Sequence, residues 1–154
     1  MTTTSSSPST TTESGRNGLG FVKISGWIVA VIGAVMLVAG AGTWVLVQDQ
    51  LSAENITVAE DASMLPGNDV NGPFSAYAQA EIINEHALEA SGGKTYAELD
   101  REDPVRQVVM NGSFLRASLF TSVLAFGVSA MAMGLGLVQI LLGVSMTKLA
   151  TTRI

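Results

Sequence analysis

The chain has 154 residues, a net charge of −5 and no cysteine, which excludes disulfides, thiolate catalysis and thiolate metal sites. Twelve of its thirteen Asp and Glu residues lie between positions 48 and 112, together with three basic residues. Because this segment would repel nucleic-acid phosphates, we exclude DNA and RNA as partners.

Residues 1–20 consist mainly of Ser, Thr, Gly and Pro. No apolar residue recurs in this stretch, so burial cannot offset the entropy of ordering it, and we predict a disordered tail. Arg16 and Lys23 then precede a long apolar run, as in a signal peptide. Because the run is much longer than the roughly 7–15 apolar residues of a signal peptide, we expect an uncleaved anchor.

Two apolar runs, residues 24–47 and 117–146, contain no charged residue. At about 1.5 Å per residue, each is long enough as a helix to cross a hydrocarbon core of about 30 Å. We therefore predict an all-α membrane protein whose two transmembrane helices form an antiparallel hairpin in the lipid bilayer. The second run exceeds the core thickness by about half, so we expect its first turns to project beyond the membrane.

The basic residues beside the runs indicate the orientation. Arg16 and Lys23 flank the first run, which usually sets the topology, and Lys148 follows the second run. We therefore expect a multi-pass protein of the cell membrane with both termini in the cytoplasm, including a short tail at residues 147–154. Residues 48–116 would then form an extracytoplasmic segment.

Glycine recurs every seven residues in both runs, and seven residues return to nearly the same helix face. In lipid, small side chains permit the close backbone approach that holds helices together. The two small-residue faces are expected to contact each other. The alternative, which is compatible with the first, is that one of them docks a helix of another protein. The residues predicted to form this helix-packing or partner interface are Gly26, Gly33, Gly40, Gly127, Gly134, Gly136, Gly143 and Gln139.

The acidic segment predicts a small helical cap. Pro73 suits the first turn of a helix, and Gly92-Gly93 suits its end. On this helix we expect Phe74, Tyr77 and Ile83 to pack the cap.

Three further features complete the cap. Residues 56–58 favour a short strand, and Thr95 with Glu98 forms a capping-box pattern that opens a short helix. Asp103-Pro104 then opens a helix that runs towards the membrane. We expect Trp27, Trp44 and Arg116 to anchor the ends of the spans in the headgroup zone.

His86 is the only histidine and the natural starting point for a metal site. Glu89 shares its helix face, Glu85 points about 100° away, and no second His or Cys supplies a third strong ligand. Glu81, Glu85 and Glu89 offer at most a loose calcium contact, because they lack the wrapping loop of calcium sites. We expect no metal, no cofactor and no enzymatic activity; the enzymatic alternative is a metal-dependent reaction centred on His86.

The spans contain no ionisable residue, which argues against a proton- or ion-coupled transporter. Gln139 is the strongly polar residue deep in a span, and we expect it to hydrogen-bond across helices. The alternative is an oligomeric pore or transporter component for ions or small solutes, lined by Gln139, Ser122 and Ser129.

The stretches GPFSAYAQA (72–80), GGKTYAELDREDP (92–104) and NGSFLRASLFTS (111–122) resemble a group of small actinobacterial two-span membrane proteins, with likeness over residues 20–147. Members of that group often carry the name aromatic ring-opening dioxygenase. The resemblance implies the fold and the membrane placement. The reaction in that name needs a non-haem iron, usually held by two His and a carboxylate, and one histidine cannot build that site.

Together these patterns favour a non-enzymatic accessory or structural subunit. Its partners would be the lipid bilayer and a larger membrane complex, such as a respiratory or cell-envelope assembly, or further copies of the same chain.

Overall fold

A computed structural model describes residues 11–152, with side chains from residue 18 onward. Its helices are α1 (Thr11–Ala53), α2 (Pro73–Ala90) and α3 (Val105–Thr152). The part of the chain that is described contains no strand, and the segment predicted to be a short strand forms a single antiparallel bridge between Thr57 and Asp69. The all-helical architecture, with two long apolar helices and a shorter one between them, is confirmed.

Both long helices could cross a bilayer by length and composition, over Gly18–Ala53 and Val105–Thr152. Only 17% of an apolar 18-residue stretch in each helix is buried, so most of the apolar side chains there face outward. Val38, Leu124 and Leu141 are examples of such exposed side chains. An apolar surface of this extent is compatible with lipid surroundings.

The start of α1 differs from the predicted boundary of the disordered tail. Residues 1–10 lie outside the described residues, and α1 begins at Thr11, within the segment predicted to be a disordered tail. The physical reason is that a helix is costly to nucleate and cheap to extend. The apolar run supplies the nucleus, and no proline after Pro8 interrupts the extension towards the N-terminus.

Residues 11–38 and 132–152 form one compact unit, in which α1 and α3 run antiparallel at very short separation. A Cβ added at Gly33 would lie 2.6 Å from the carbonyl oxygen of Gly136, and one added at Gly26 would lie 2.8 Å from that of Gly143. Real Cβ atoms do not approach a backbone oxygen that closely. Glycine is therefore required for this contact, in which one backbone rests on the other.

Two of the predicted interface glycines lie elsewhere on α3. A Cβ added at Gly127 or at Gly134 would meet no atom within 4 Å. The two residues from Gly134 to Gly136 turn an α-helix by about 200°, so these glycines occupy opposite faces. α3 thus has one glycine face in contact with α1 and one open glycine face, while Gly40 on α1 is buried.

Residues 39–131 form a second compact unit, which contains α2, the loops and the adjoining parts of α1 and α3. Its core brings small residues of α2, such as Ala76 and Ala80, together with larger side chains of the other elements. Trp44 packs edge-on against Phe126, with 4.7 Å between the ring centroids. The larger core side chains are Leu51, Val58, Val70, Ile82, Leu119 and Phe126.

The boundaries of α2 and α3 follow the predicted sequence rules. α2 begins at Pro73, and the N–H of Gly93, at φ +84°, donates to the carbonyl of Leu88 at 2.7 Å. The Asp103 carboxylate accepts the N–H of Val105 at 2.9 Å, as expected of a helix N-cap.

The predicted short helix at Thr95 to Glu98 is a single turn instead. The Glu98 carboxylate accepts the Thr95 N–H at 2.8 Å, as in a capping box. The Thr95 hydroxyl donates to the same carboxylate at 2.8 Å. Among the described residues no backbone N–H donates to this hydroxyl, so the box is only half formed.

The glycine contact generates a paired prediction. Gly136→Ala places a methyl group against the backbone of Gly33 and Leu37, and we expect it to lower the free energy of unfolding by about 1–3 kcal/mol. Gly134→Ala, two residues away in open space, should leave stability unchanged or raise it by up to about 1 kcal/mol through helix propensity. Unfolding of the two purified variants in mixed micelles measures the difference; equal stabilities would contradict the backbone contact.

Candidate functional site

His86 pairs with Asp61 in the second unit, an arrangement that the sequence analysis did not predict. The Nε2 atom of His86 lies 2.6 Å from Oδ2 of Asp61, and both side chains are substantially exposed. Gln79, two turns earlier on α2, accepts the N–H of Ala59 through its side-chain oxygen at 3.0 Å. These two contacts fasten the loop before α2 to the outer face of that helix.

The pair shifts both ionisations towards the charged forms. The hydrogen bond to Asp61 raises the pKa of His86, and the carboxylates of Glu85 and Glu89 add to this rise. The same hydrogen bond lowers the pKa of Asp61. The contact is therefore strongest between the ordinary pKa values of the two groups, about 3.8 for Asp and 6.5 for His.

Glu81, Glu85 and Glu89 of α2 do not form a metal site with His86. Over the residues that the structure describes, no group of three or more His, Cys, Asp or Glu side chains is placed to hold a metal ion. His86 instead has a single carboxylate partner at hydrogen-bond distance, which comes from the loop.

α2 runs antiparallel along the N-terminal half of α3, and Arg116 lies between the two helices. Its guanidinium is 3.7 Å from the Glu81 carboxylate and 5.2 Å from the ring of Phe120. One turn along, Tyr77 packs edge-on against Phe120, with 5.9 Å between the ring centroids. Arg116, predicted as an anchor that reaches lipid headgroups, thus also connects α2 to α3.

A cavity of about 340 Å³ opens between α2, α3 and the turn after α2. Gly112 keeps α2 close to α3 beside it, because a Cβ there would lie 3.1 Å from that of Ala87. The guanidinium of Arg106 stacks over Tyr96 at 4.0 Å and donates to the carbonyl of Leu99 at 2.6 Å. The residues that line the cavity include Asn84, Leu88, Tyr96, Val109, Ser113 and Arg116.

The polar residues of the spans are occupied within their own helices or buried. Ser129 donates to the carbonyl of Ala125 at 2.8 Å, and Ser122 donates to that of Ser118 at 3.3 Å. Gln139 packs beside Gly33, and its side-chain oxygen is buried with no hydrogen-bond partner among the residues that the structure describes. Within those residues, this oxygen does not make the hydrogen bond across helices that was predicted for Gln139.

The three residues predicted to pack the cap occupy different environments. Ile83 packs against the core and Tyr77 contacts Phe120, but Phe74 is 72% exposed. The prediction is wrong for Phe74, because the buried face of α2 passes through the smaller Ser75 and Ala76. Of the predicted tryptophan anchors, Trp27 is exposed and Trp44 packs on Phe126.

An open apolar groove of about 550 Å³ lies on α3 around Gly127. The helix backbone at Gly127, which has no side chain, forms the floor of the groove. The exposed side chains of Leu124, Val128 and Met131 form its walls. The helix backbone is thus accessible at this point to another apolar chain.

No protein-family model, no curated protein and no solved structure matches this chain. The resemblance to small actinobacterial membrane proteins therefore stays a prediction.

The pairing of His86 with Asp61 predicts a change in titration. Asp61→Asn removes the partner that favours the protonated imidazole, so we expect the pKa of His86 to fall. Stability supplied by this histidine is complete below its ordinary pKa and is lost as pH rises through its raised pKa. NMR titration of the single imidazole measures the shift. Glu102→Gln, which removes the same charge from the later turn, should leave the pKa higher than Asp61→Asn does; equal values would contradict the pairing.

Proposed function

We propose that the protein is a non-enzymatic accessory or structural subunit of a larger membrane complex, anchored by two helices with a helical cap between them. The complex would be a respiratory or cell-envelope assembly of the cell membrane. Both termini would lie in the cytoplasm and residues 48–116 outside it, as the basic residues around α1 suggest.

The observation that carries this proposal is the open groove around Gly127. The helix pair uses a different set of glycines, Gly33 with Gly136 and Gly26 with Gly143, for its own contact. The Gly127 groove takes no part in this contact and is open to lipid or to another helix. A depression floored by glycine and walled by Leu124 and Met131 has the small-against-large relief by which helices associate in lipid.

The polar groups support a structural role. The only histidine pairs with a carboxylate that fastens a loop, and the serines considered as pore-lining residues donate to carbonyls of their own helix. Arg116 and Arg106 similarly brace the cap, through Glu81 and Tyr96 respectively. In each case the polar group stabilises the shape of the cap or of its helix.

The test is the recovery of partners from native membranes. Gly127→Leu fills the groove, and its Cβ meets no atom within 4 Å, so the fold should persist and the yield of the associated protein should fall tenfold or more. A tenfold loss corresponds to about 1.4 kcal/mol of association free energy. The full-length tagged protein is extracted in mild detergent, and its partners are identified by mass spectrometry.

Gly42→Leu is the matched control, because Gly42 on α1 is equally open. It should retain the partners at the wild-type yield. Recovery of the same partners in the same amounts from Gly127→Leu would refute the docking role of the groove. Recovery of this chain alone, in a defined stoichiometry, would contradict the larger complex and indicate a homo-oligomer instead.

A further inference from the structure

We propose that the N-terminal half of α2 lies in the lipid headgroup zone, with the exposed rings of Phe74 and Tyr77 in contact with lipid. The cap would then rest on the bilayer surface as well as being tethered to it by the spans. This inference rests on the two long helices crossing a bilayer, and it does not require a partner complex.

The level of the membrane boundary follows from the pairing of α1 and α3 in the second unit. Trp44 and Phe126 are in ring contact, and the two helices run in opposite directions. Asp49 lies five residues after Trp44 on α1, and Thr121 lies five residues before Phe126 on α3. Because the helices are antiparallel and rise equally per residue, Asp49 and Thr121 lie at the same height along the helix pair. Asp49 is the first charged residue after the apolar run of α1, so the hydrocarbon core ends near this level.

The position of α2 follows from its own contacts with α3. Tyr77 lies against Phe120, and Glu81 lies beside Arg116, one turn farther from the membrane. The same antiparallel register places Phe74 level with Val123, on the membrane side of Asp49. α2 therefore begins at the boundary and runs away from it.

The exposed side chains of α2 change from aromatic at its N-terminal end to charged farther along the helix, as expected for a helix that leaves the membrane boundary. Phe74 is 72% exposed and Tyr77 is 40% exposed, at the end nearest the core. Tyrosine is enriched in the headgroup zone, and an arginine can extend its guanidinium to headgroups. Arg116 lies beside Glu81, one turn farther from the core than Tyr77. The exposed residues Glu85, His86 and Glu89 follow farther out.

Lipid is the occupant that the surface favours, because the exposed rings continue an apolar surface of the span. Tyr77 contacts Phe120, and Phe120 also lines the apolar groove with Leu124 and Val128. Those residues belong to the charge-free part of α3, residues 117–146. Phe74 and Tyr77 thus extend a surface that already faces the bilayer core.

The absence of cysteine from the chain allows a direct test, because any introduced cysteine is unique. Phe74→Cys is labelled with a nitroxide and placed in phosphatidylcholine and phosphatidylglycerol nanodiscs. EPR power saturation then measures collisions with oxygen, which enters lipid, and with a water-soluble nickel chelate. Val35→Cys in the span and Glu89→Cys on outer α2 are the matched controls, and both native side chains are exposed.

We expect the Phe74 label to collide with the nickel chelate at least threefold less than the Glu89 label, while oxygen collisions remain high as at Val35. Equal nickel accessibility at Phe74 and Glu89 would overturn the proposal by placing this end of α2 in water. Low accessibility to both reagents would also overturn it, because a second copy or another protein would then cover the surface. The replaced ring is exposed, so its loss leaves no cavity.

Discussion

The architecture depends on how the two long apolar helices associate, which in a bilayer would happen without water to drive them together. Lipid tails are as apolar as the side chains of α1 and α3, so the hydrophobic effect would not favour the pair in a bilayer. What remains is close contact between backbones, and the structure provides it where Gly33 meets Gly136 and Gly26 meets Gly143. Side chains larger than hydrogen at these positions would separate the backbones.

The cap is built as a continuation of the same helices. Leu51 of α1 and Leu119 of α3 join its core, on which α2 packs through Ala76 and Ala80. Small residues again set the distance, since Gly112 approaches Ala87 closely. The ionic contacts at Arg116 and His86 are partly or largely exposed, so they specify the arrangement of loop and helices more than they stabilise it.

Much of this fold could be predicted because its signals are local. Long charge-free runs specify apolar helices of a length that could cross a bilayer, and Pro73 and Asp103 mark helix starts by the hydrogen bonds that a first turn lacks. Which other element packs against a given helix face is not encoded by neighbouring residues in the sequence. Both glycine series of α3 have the same spacing, and only the path of α1 decides that Gly136 is in contact and Gly134 is open. The pairing of His86 with Asp61 joins residues 25 apart through an irregular loop, for which the sequence carries no periodic signal.

In the proposed topology both long helices cross the bilayer and leave the cap on one side. The most direct test is labelling of intact cells with a membrane-impermeant maleimide, because each introduced cysteine is again unique. We expect Lys94→Cys to be labelled from outside, whereas Ser5→Cys and Ile154→Cys should react only after lysis. Opposite results for the two termini, or recovery of the full-length chain in the soluble fraction, would contradict it.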